Sequence, residues 1–347
     1  MNGNPFILTF GREPIKYISR LECFYEIQKN FYSETHPNQI YMITGVRGSG
    51  KTVLLSLLSK EFENNENWVV IDLNPERNML ESLASQLYNS NKVNHLFLKA
   101  DFNFSFNGIG LSITNDRPAK DIEIVIQKII SYLSEKGIKI LITIDDATSN
   151  ENIKIFAHTY QGLLRKNYPV FLLMTGLYEN ITSIQNNKSL TFLSRTPKIM
   201  LNPLNLPSIK ESYKQIFNFD DKIAIMMAKL TSGYAYAYQV LGYLMWEKQD
   251  KIIDESLLTQ YDQYLSEFVY DKLWDNLPDK EINLLKLICD YDNISEIISN
   301  SSFSSKDISV YRDRLIKRGI LISKVRGKLS FALPRFKEYI KNKEYFE

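Results

Sequence analysis

The chain of 347 residues is poor in the residue types that build metal centres and disulfides. It contains two cysteines, Cys23 and Cys289, and three histidines, His36, His95 and His158. These positions are far apart and form none of the close spacings typical of zinc sites or redox pairs. A histidine-based catalytic triad is equally disfavoured. Two distant cysteines suit a reducing compartment, so we expect a cytoplasmic protein.

Long apolar runs and a strong charge of either sign are missing as well. No apolar stretch reaches the length of a membrane span, and the N-terminus lacks a signal-peptide pattern, so we expect no membrane partner. A net charge of +2 is too small to indicate a nucleic-acid partner by itself, and any basic surface must be local. The length allows two or three domains with a sizeable core.

A glycine-rich segment is the most informative feature that is present. Residues 45–52 match the phosphate-binding pattern G-x-x-x-x-G-K-[ST] at every specified position. The apolar run 39–44 before the segment predicts a strand, and the run 53–58 after it has helical spacing. A strand that feeds a glycine loop and opens a helix is the context that this motif requires. The sequence therefore predicts a nucleoside triphosphate site.

The residues of this loop have distinct expected roles. Glycines let backbone N–H groups converge on phosphate oxygens at the N-terminus of the following helix. Lys51 is expected to reach the β- and γ-phosphates, and Thr52 to offer its hydroxyl to Mg²⁺. The predicted binding residues are Gly45, Val46, Arg47, Gly48, Ser49, Gly50, Lys51, Thr52 and Val53.

The order of elements predicts a parallel sheet followed by helices. The predicted strands are 39–44, 68–73, 138–144, 170–174 and 198–201, and the helices between them are 76–89, 121–136 and 151–167. The stretch 100–118 predicts an extra hairpin inserted in this sheet. After Pro203 and Pro207 the pattern is helical to about residue 275.

Four residues outside the loop are predicted to complete the site. The strand 138–144 ends in Asp145, placed to hold Mg²⁺ through water, and Asp146, placed to orient the attacking water. Thr175 ends the next strand and is a candidate for sensing the γ-phosphate, with a strand-end threonine entering a loop as the alternative. Arg195 is either an arginine finger for a neighbouring subunit or a surface arginine.

The tail has the order helix, helix, helix, hairpin, which is the order of a winged helix-turn-helix. The expected recognition helix, about 305–318, and the hairpin tip are basic. Their candidate contacts to double-stranded DNA are Lys306, Tyr311, Arg312, Arg314, Lys317, Arg318, Lys324, Arg326 and Lys328. Backbone contacts from such residues predict steep salt dependence. Asp307 and Asp313 lie on the same helix, so a solvated face or a protein-docking module is the alternative.

Taken together, these residues resemble the AAA+ superfamily, in particular the origin-recognition-like and STAND-type branch often called archaeal-type ATPases. The similarity covers nearly the whole chain. The matching segments are Phe10 to Pro14, Thr44 to Leu55, Leu141 to Ala147, Thr175 to Ile181, Leu190 to Arg195, Gly233 to Leu244 and Tyr311 to Ile320.

The resemblance implies an α/β fold with a five-stranded parallel AAA+ core, a helical lid and a C-terminal winged helix. It implies ATP as the nucleotide, and an oligomer or a partner protein that completes the site. The implied parts are a lead-in segment at 1–38, the ATPase core at 39–203, the lid at 204–277 and the winged helix at 278–347.

Three departures from the family pattern favour a slow nucleotide-governed switch over a fast motor. Asp145-Asp146 stands where many members have Asp-Glu, and the shorter side chain is expected to activate water weakly. Arg20 follows a serine where the adenine-side motif has glycine. Segment 231–234 has no clear counterpart of the second-sensor arginine.

Two functional hypotheses follow from the resemblance. The first is a switch that hydrolyses ATP to ADP and phosphate slowly, assembles or changes conformation with nucleotide, and contacts DNA through its winged helix. The alternative is a STAND-like signalling or defence ATPase whose winged helix docks protein or holds the resting state without binding DNA. A nucleotide-binding scaffold without turnover is a third, weaker hypothesis.

Overall fold

The computed structural model describes residues 3–9, 14–99, 102–105, 110–113, 121–248, 250–323 and 325–346. It divides into two compact units. The sheet unit consists of Leu21–Thr44 and Leu54–Met200, and the helical unit consists of Met1–Arg20, Gly45–Val53 and Leu201–Glu347. The phosphate-loop segment therefore belongs to the helical unit.

Five parallel strands form the core of the sheet unit, in the order β2-β5-β6-β1-β7. In chain order the strands of the protein are β1 (Ile40–Thr44), β2 (Trp68–Asp72), β3 (Phe102–Ser105), β4 (Gly110–Ile113), β5 (Lys139–Ile144), β6 (Val170–Gly176), β7 (Lys198–Met200), β8 (Leu321–Ile322) and β9 (Ser330–Phe331). Thr44 pairs with Gly176, and Ile144 pairs with Met174. The carboxyl ends of β1, β5 and β6 thus lie at one edge of the sheet.

The predicted five-stranded parallel sheet is confirmed, and burial explains why its strands could be recognised. Every residue of β6 is buried, and so is β5 from Ile140 to Ile144. Strands covered on both faces have nearly continuous apolar sequences, and β-branched side chains favour the extended backbone.

Helices connect these strands and cover the sheet. They are α1 (Leu21–Tyr32), α2 (Lys51–Glu63), α3 (Met79–Asn89), α4 (Asn94–Lys99), α5 (Ile122–Glu135), α6 (Glu151–Arg165) and α7 (Tyr178–Gln185). Asn78, Asp121 and Asn150 accept backbone N–H bonds at the start of α3, α5 and α6. Such caps satisfy amides that have no partner within the helix. The cap at Asn78 explains why α3 begins three residues after the predicted start at 76.

The hairpin predicted within 100–118 forms, but its predicted place in the main sheet is wrong. β3 and β4 pair with each other in an antiparallel sheet of their own, with Phe102 opposite Ile113 and Ser105 opposite Gly110. Consecutive strands joined by a short connection can pair with each other, so a strand-forming sequence does not by itself place them in the main sheet. The rest of the stretch lies outside the described residues.

The helical unit follows the predicted order. Its elements are α8 (Leu206–Phe217), α9 (Asp221–Thr231), α10 (Ala235–Glu247), α11 (Glu255–Leu265), a π-helical segment (Ser266–Tyr270), α12 (Asp271–Trp274), α13 (Asp279–Asp290), α14 (Ile294–Ser299), α15 (Ser305–Lys317), β8, β9 and α16 (Phe336–Phe346). α15 matches the helix predicted at 305–318, and α16 is an addition that the sequence pattern did not indicate.

Tyrosine is prominent in the core of the helical unit. Tyr213, Tyr261 and Tyr270 are buried, and their hydroxyls donate to the backbone carbonyls of Tyr238 (2.7 Å), Leu230 (3.0 Å) and Pro334 (2.5 Å). A buried phenol needs such a partner, so these rings fix helix positions as well as fill volume. Within the described chain, no helix combines the length and apolar character needed to cross a membrane.

Candidate nucleotide-binding site

The predicted site residues fall in both units, and each group has its own local geometry. In the helical unit the loop contains two left-handed glycines, Gly48 (φ 74°) and Gly50 (φ 92°). Residues with a Cβ rarely adopt this conformation. Gly45 is required for space, because a Cβ there would lie 2.5 Å from Oγ of Ser49 and 3.3 Å from Cβ of Leu201. Backbone conformation or lack of space therefore explains glycine at all three positions.

The lysine of the motif folds back over this loop. Lys51 is 7% exposed, and its Nζ donates to the carbonyl oxygens of Gly45 and Val46 at 3.1 Å each. α2 begins at Lys51, so its first-turn amides, including those of Thr52 and Val53, adjoin the loop. A glycine loop, a lysine ammonium and a helix N-terminus together form an anion-binding arrangement.

Two tyrosines from the start of α10 hold the loop from outside the motif. The hydroxyl of Tyr234 donates to the carbonyl oxygen of Arg47. The N–H of Tyr236 donates to the carbonyl oxygen of Gly48 at 3.1 Å. Burial raises the pKa of Tyr234 well above its usual range, so this hydroxyl keeps its proton.

Arg20, predicted on the adenine side, also contacts the loop backbone. Its Nη2 donates to the carbonyl oxygen of Ser49 at 2.9 Å, and its Nη1 donates to that of Asn202 at 2.5 Å. Through these two charge-assisted hydrogen bonds, Arg20 connects Ser49 of the loop with Asn202, which follows the last strand of the sheet. This arrangement gives Arg20 a supporting contact with the loop.

In the sheet unit the acidic pair is organised by Thr175. This residue is completely buried in β6, and its hydroxyl donates to Oδ1 of Asp145. The hydroxyl also accepts from the N–H of Asp146 at 3.3 Å, and the Thr175 carbonyl accepts from the N–H of Ala147 at 2.8 Å. Thr175 therefore holds the turn that carries both carboxylates.

Asp146 has an unusual backbone conformation for a residue with a side chain. Its φ is 47°, in the left-handed region, and its side chain is exposed. Aspartate and asparagine are the residues other than glycine that adopt this region most readily. The turn after β5 therefore favours the short acid at a position where many AAA+ members have glutamate.

Arg195 ends a short 3₁₀ helix, Thr191–Arg195, directly before β7. Leu193 anchors this turn in the core, whereas Arg195 is exposed. An exposed arginine at the end of this turn is compatible with either of the predicted roles.

The basic residues of the tail divide into paired and exposed ones. Nη1 of Arg318 donates to Oε2 of Glu281 at 2.8 Å, and Arg314 lies 3.8 Å from Oε1 of the same carboxylate. Glu281 is completely buried. Arg312 donates twice to Oδ1 of its neighbour Asp313, at 2.7 and 3.0 Å. Arg318 is thus engaged in the fold, and Arg312 is engaged at the surface.

The remaining candidates for DNA contact lie on the surface. Lys306, Lys317 and Arg326 are exposed, as is Lys328, which pairs with Asp292 at 3.0 Å. Lys324 lies outside the described residues, as do residues 10–13 of the family resemblance. The tail therefore presents fewer available cations than its sequence implies.

The sequence reasoning missed the two tyrosines that hold the loop. Tyr234 lies 187 residues from its partner Arg47, so no spacing rule connects them. The available signal in the sequence was weak. Gly233 precedes Tyr234 at the start of a helix, and its φ of 80° is a backbone angle that favours glycine.

Comparison with known proteins agrees with this architecture. A family model described as an ATPase domain predominantly from Archaea matches residues 25–199, just over half of the chain. A second family model, for a domain of unknown function, matches residues 267–340. No curated protein sequence matches the chain.

Solved structures are similar over nearly the full length. A Walker-type ATPase of Pyrococcus abyssi has a TM-score of 0.62 and 13% identity, with 93% of this chain and 96% of that chain covered. The ORC2 protein of Aeropyrum pernix, solved as ADPNP–ADP complexes, has a TM-score of 0.60 and 13% identity, with 96% of each chain covered. At such identity the likeness concerns the fold, and it confirms the predicted AAA+ P-loop fold.

Proposed function

The chain belongs to the family of ATPase domains found predominantly in Archaea, and from that premise we propose that it is an ATP-binding switch that hydrolyses ATP slowly. The observation that carries the proposal is the phosphate loop, with left-handed Gly48 and Gly50 directly before the helix that begins at Lys51. This backbone presents amide donors to an anion, and the adjacent ammonium adds a positive charge.

We propose that Lys51 binds the β- and γ-phosphates and that Thr52 and Asp145 hold Mg²⁺. A hydroxyl and a carboxylate are hard oxygen ligands, which is the donor set that Mg²⁺ prefers beside phosphate oxygens. The ion would neutralise negative charge on the phosphates. Thr175, predicted to sense the γ-phosphate, would act through Asp145, because its hydroxyl donates to that carboxylate.

The proposal of slow hydrolysis is based on the short side chain of Asp146. Its carboxylate would orient the attacking water, and its reach is one methylene shorter than that of glutamate. Aspartate adopts the left-handed backbone of this position more readily than glutamate does, so the conformation of the turn favours the shorter acid. Asp146→Asn suits this conformation and removes only the charge, so ATP binding should persist while turnover is lost.

Nucleotide binding is tested with Lys51→Ala and, as a control on the same helix, the exposed Lys60→Ala. Loss of a charge-assisted contact should weaken ATP binding by roughly 10- to 150-fold. The dissociation constant is measured by calorimetry with a non-hydrolysable ATP analogue. Equal affinity of wild type and Lys51→Ala would remove the basis for the proposed site.

We further propose that residues 278–347 form a winged helix-turn-helix that contacts double-stranded DNA. The order α13, α14, α15, β8, β9 supports this assignment, and the exposed cations Lys306, Lys317 and Arg326 support the contact. Each phosphate contact removed should reduce the slope of log affinity against log salt by about 1.

The alternative, a STAND-like module whose tail docks protein, is supported by the ion pairs of the same region. Arg312, Arg318 and Lys328 each have a carboxylate partner within this chain. ATP turnover with and without duplex DNA, at low and moderate salt, separates the two functions. Salt-sensitive stimulation that disappears in Lys51→Ala supports the DNA-linked switch. Nucleotide binding without any response to DNA supports the partner-triggered module.

A further inference from the structure

The contact between Tyr234 and the phosphate loop has a consequence for how the loop binds its ligand. Tyr234 is 4% exposed, and its hydroxyl donates to the carbonyl oxygen of Arg47. Burial raises the pKa of this phenol well above its usual range, so the hydroxyl keeps the proton that it donates. The Arg47 carbonyl therefore has a fixed direction.

The direction of that carbonyl determines the direction of an amide. The described chain contains no cis peptide bond, and in a trans peptide the C=O and the following N–H point in opposite directions. The peptide that begins with the Arg47 carbonyl ends with the N–H of Gly48. A hydrogen bond from Tyr234 on one side thus turns the Gly48 N–H to the opposite side.

The next peptide is held from the same helix start. The Tyr236 N–H donates to the Gly48 carbonyl at 3.1 Å, so the carbonyls of Arg47 and Gly48 are both bound by tyrosines at the start of α10. Gly48 itself has φ 74°, and a Cβ at this position would collide with the Tyr234 hydroxyl and lie 2.9 Å from the Tyr236 Cβ. Glycine at 48 and tyrosine at 234 are therefore matched to each other.

We propose that Tyr234 is a positioning residue for nucleotide binding, which aims the Gly48 N–H at a phosphate oxygen by holding the Arg47 carbonyl. The proposal rests on the proposed function of the loop. Successive N–H groups around a left-handed residue form an anion-binding concavity, and its strength depends on the N–H groups pointing the same way. Segment 231–234 has no arginine that could contact the nucleotide directly. Its tyrosine, Tyr234, would instead influence nucleotide binding through the backbone of the phosphate loop.

The test compares Tyr234→Phe with Tyr213→Phe. Each variant deletes one buried tyrosine hydroxyl that donates to a backbone carbonyl in the helical unit, but Tyr213 bonds to Tyr238 and does not contact the loop. Both variants should lower the unfolding midpoint in urea. Only Tyr234→Phe should raise the dissociation constants for ATP and ADP, by roughly 5- to 30-fold. Its KM for ATP should rise by a similar factor, with a smaller change in kcat.

The experiment distinguishes failure of the positioning role from failure of the proposed function. If wild-type protein does not bind ATP, the proposed function fails. If wild type binds and Tyr234→Phe binds equally well, or if both tyrosine variants lose the same affinity, the positioning role is overturned.

Discussion

Arg318 and Glu281 form an ion pair inside the C-terminal part of the protein. Nη1 of Arg318 lies 2.8 Å from Oε2 of Glu281, whose side chain is 1% exposed. A carboxylate so far from solvent requires a cation, since an uncompensated buried charge is strongly unfavourable. The arginine at the end of α15 therefore has a structural role, although its position in the sequence suggested a DNA contact.

The first prediction concerns this pair. Arg318→Ala should lower the free energy of unfolding by about 1.5–3 kcal/mol, because it removes the hydrogen bond to the buried Glu281 carboxylate and leaves the more distant Arg314 as a neighbouring cation. The exposed neighbour Lys317→Ala should change it by less than about 0.5 kcal/mol. Urea denaturation followed by circular dichroism measures both. If Arg318 contacted DNA instead, Arg318→Ala would leave the free energy of unfolding unchanged and would reduce the salt dependence of DNA binding.

The second prediction concerns the hydroxyl that organises the acidic turn. Thr175→Val removes the donor to Asp145 and the acceptor for the Asp146 N–H, so kcat for ATP should fall roughly tenfold while KM changes by less than about twofold. Thr175→Ser keeps the hydroxyl and should retain turnover. Steady-state ATPase assays measure this split. Weaker binding of ATP but not of ADP by the valine variant would point to direct contact with the γ-phosphate.

The third prediction uses two glycines with similar left-handed backbone conformations. Gly50 (φ 92°) and Gly137 (φ 75°) are both left-handed, and a Cβ at either would meet no heavy atom closer than 3.8 Å. Gly50→Ala and Gly137→Ala should therefore destabilise the fold by similar amounts, about 1–2 kcal/mol each. Only Gly50→Ala should also weaken ATP binding. Alanine is strained at this positive φ, and relief of the strain would change the loop backbone that presents N–H groups to phosphate. Thermal unfolding with and without ATP measures both effects, and equal ATP-induced shifts in the two variants would contradict the assignment of the loop.

The fourth prediction concerns Arg195 as an arginine finger. Arg195→Ala should bind ATP with wild-type affinity but turn it over about 10³- to 10⁵-fold more slowly. Arg165→Ala, an exposed arginine at the end of α6, should behave as wild type.

A mixing experiment decides whether the finger acts between subunits. Lys51→Ala subunits retain Arg195, and Arg195→Ala subunits retain the loop, so a mixture of the two inactive variants should recover ATPase activity. Wild-type turnover by Arg195→Ala alone would assign Arg195 to an ordinary surface role. An inactive Arg195→Ala variant that Lys51→Ala subunits do not rescue would contradict action between subunits.

The phosphate loop, the five strands and the acidic end of β5 were predictable from the sequence. The loop is a contiguous motif, and its glycines are dictated by local backbone angles at Gly48 and Gly50. The strands were recognisable because a parallel sheet buries both faces and leaves long apolar runs. The main error, the placement of the hairpin, arose because strand propensity predicts extended backbone but not which strand supplies the partner.

The pairings that give individual side chains their roles were decided by tertiary structure. Thr175 is 30 residues from Asp145, Arg318 is 37 from Glu281, and Tyr234 is 187 from Arg47. The sequence by itself determined that a loop for phosphate, two acids and a basic helix exist. Only packing determined that one arginine of that helix neutralises a buried carboxylate and that a distant tyrosine holds the loop. A hydrogen bond or ion pair depends on distances of about 3 Å, and these arise only when elements remote in sequence are brought into contact.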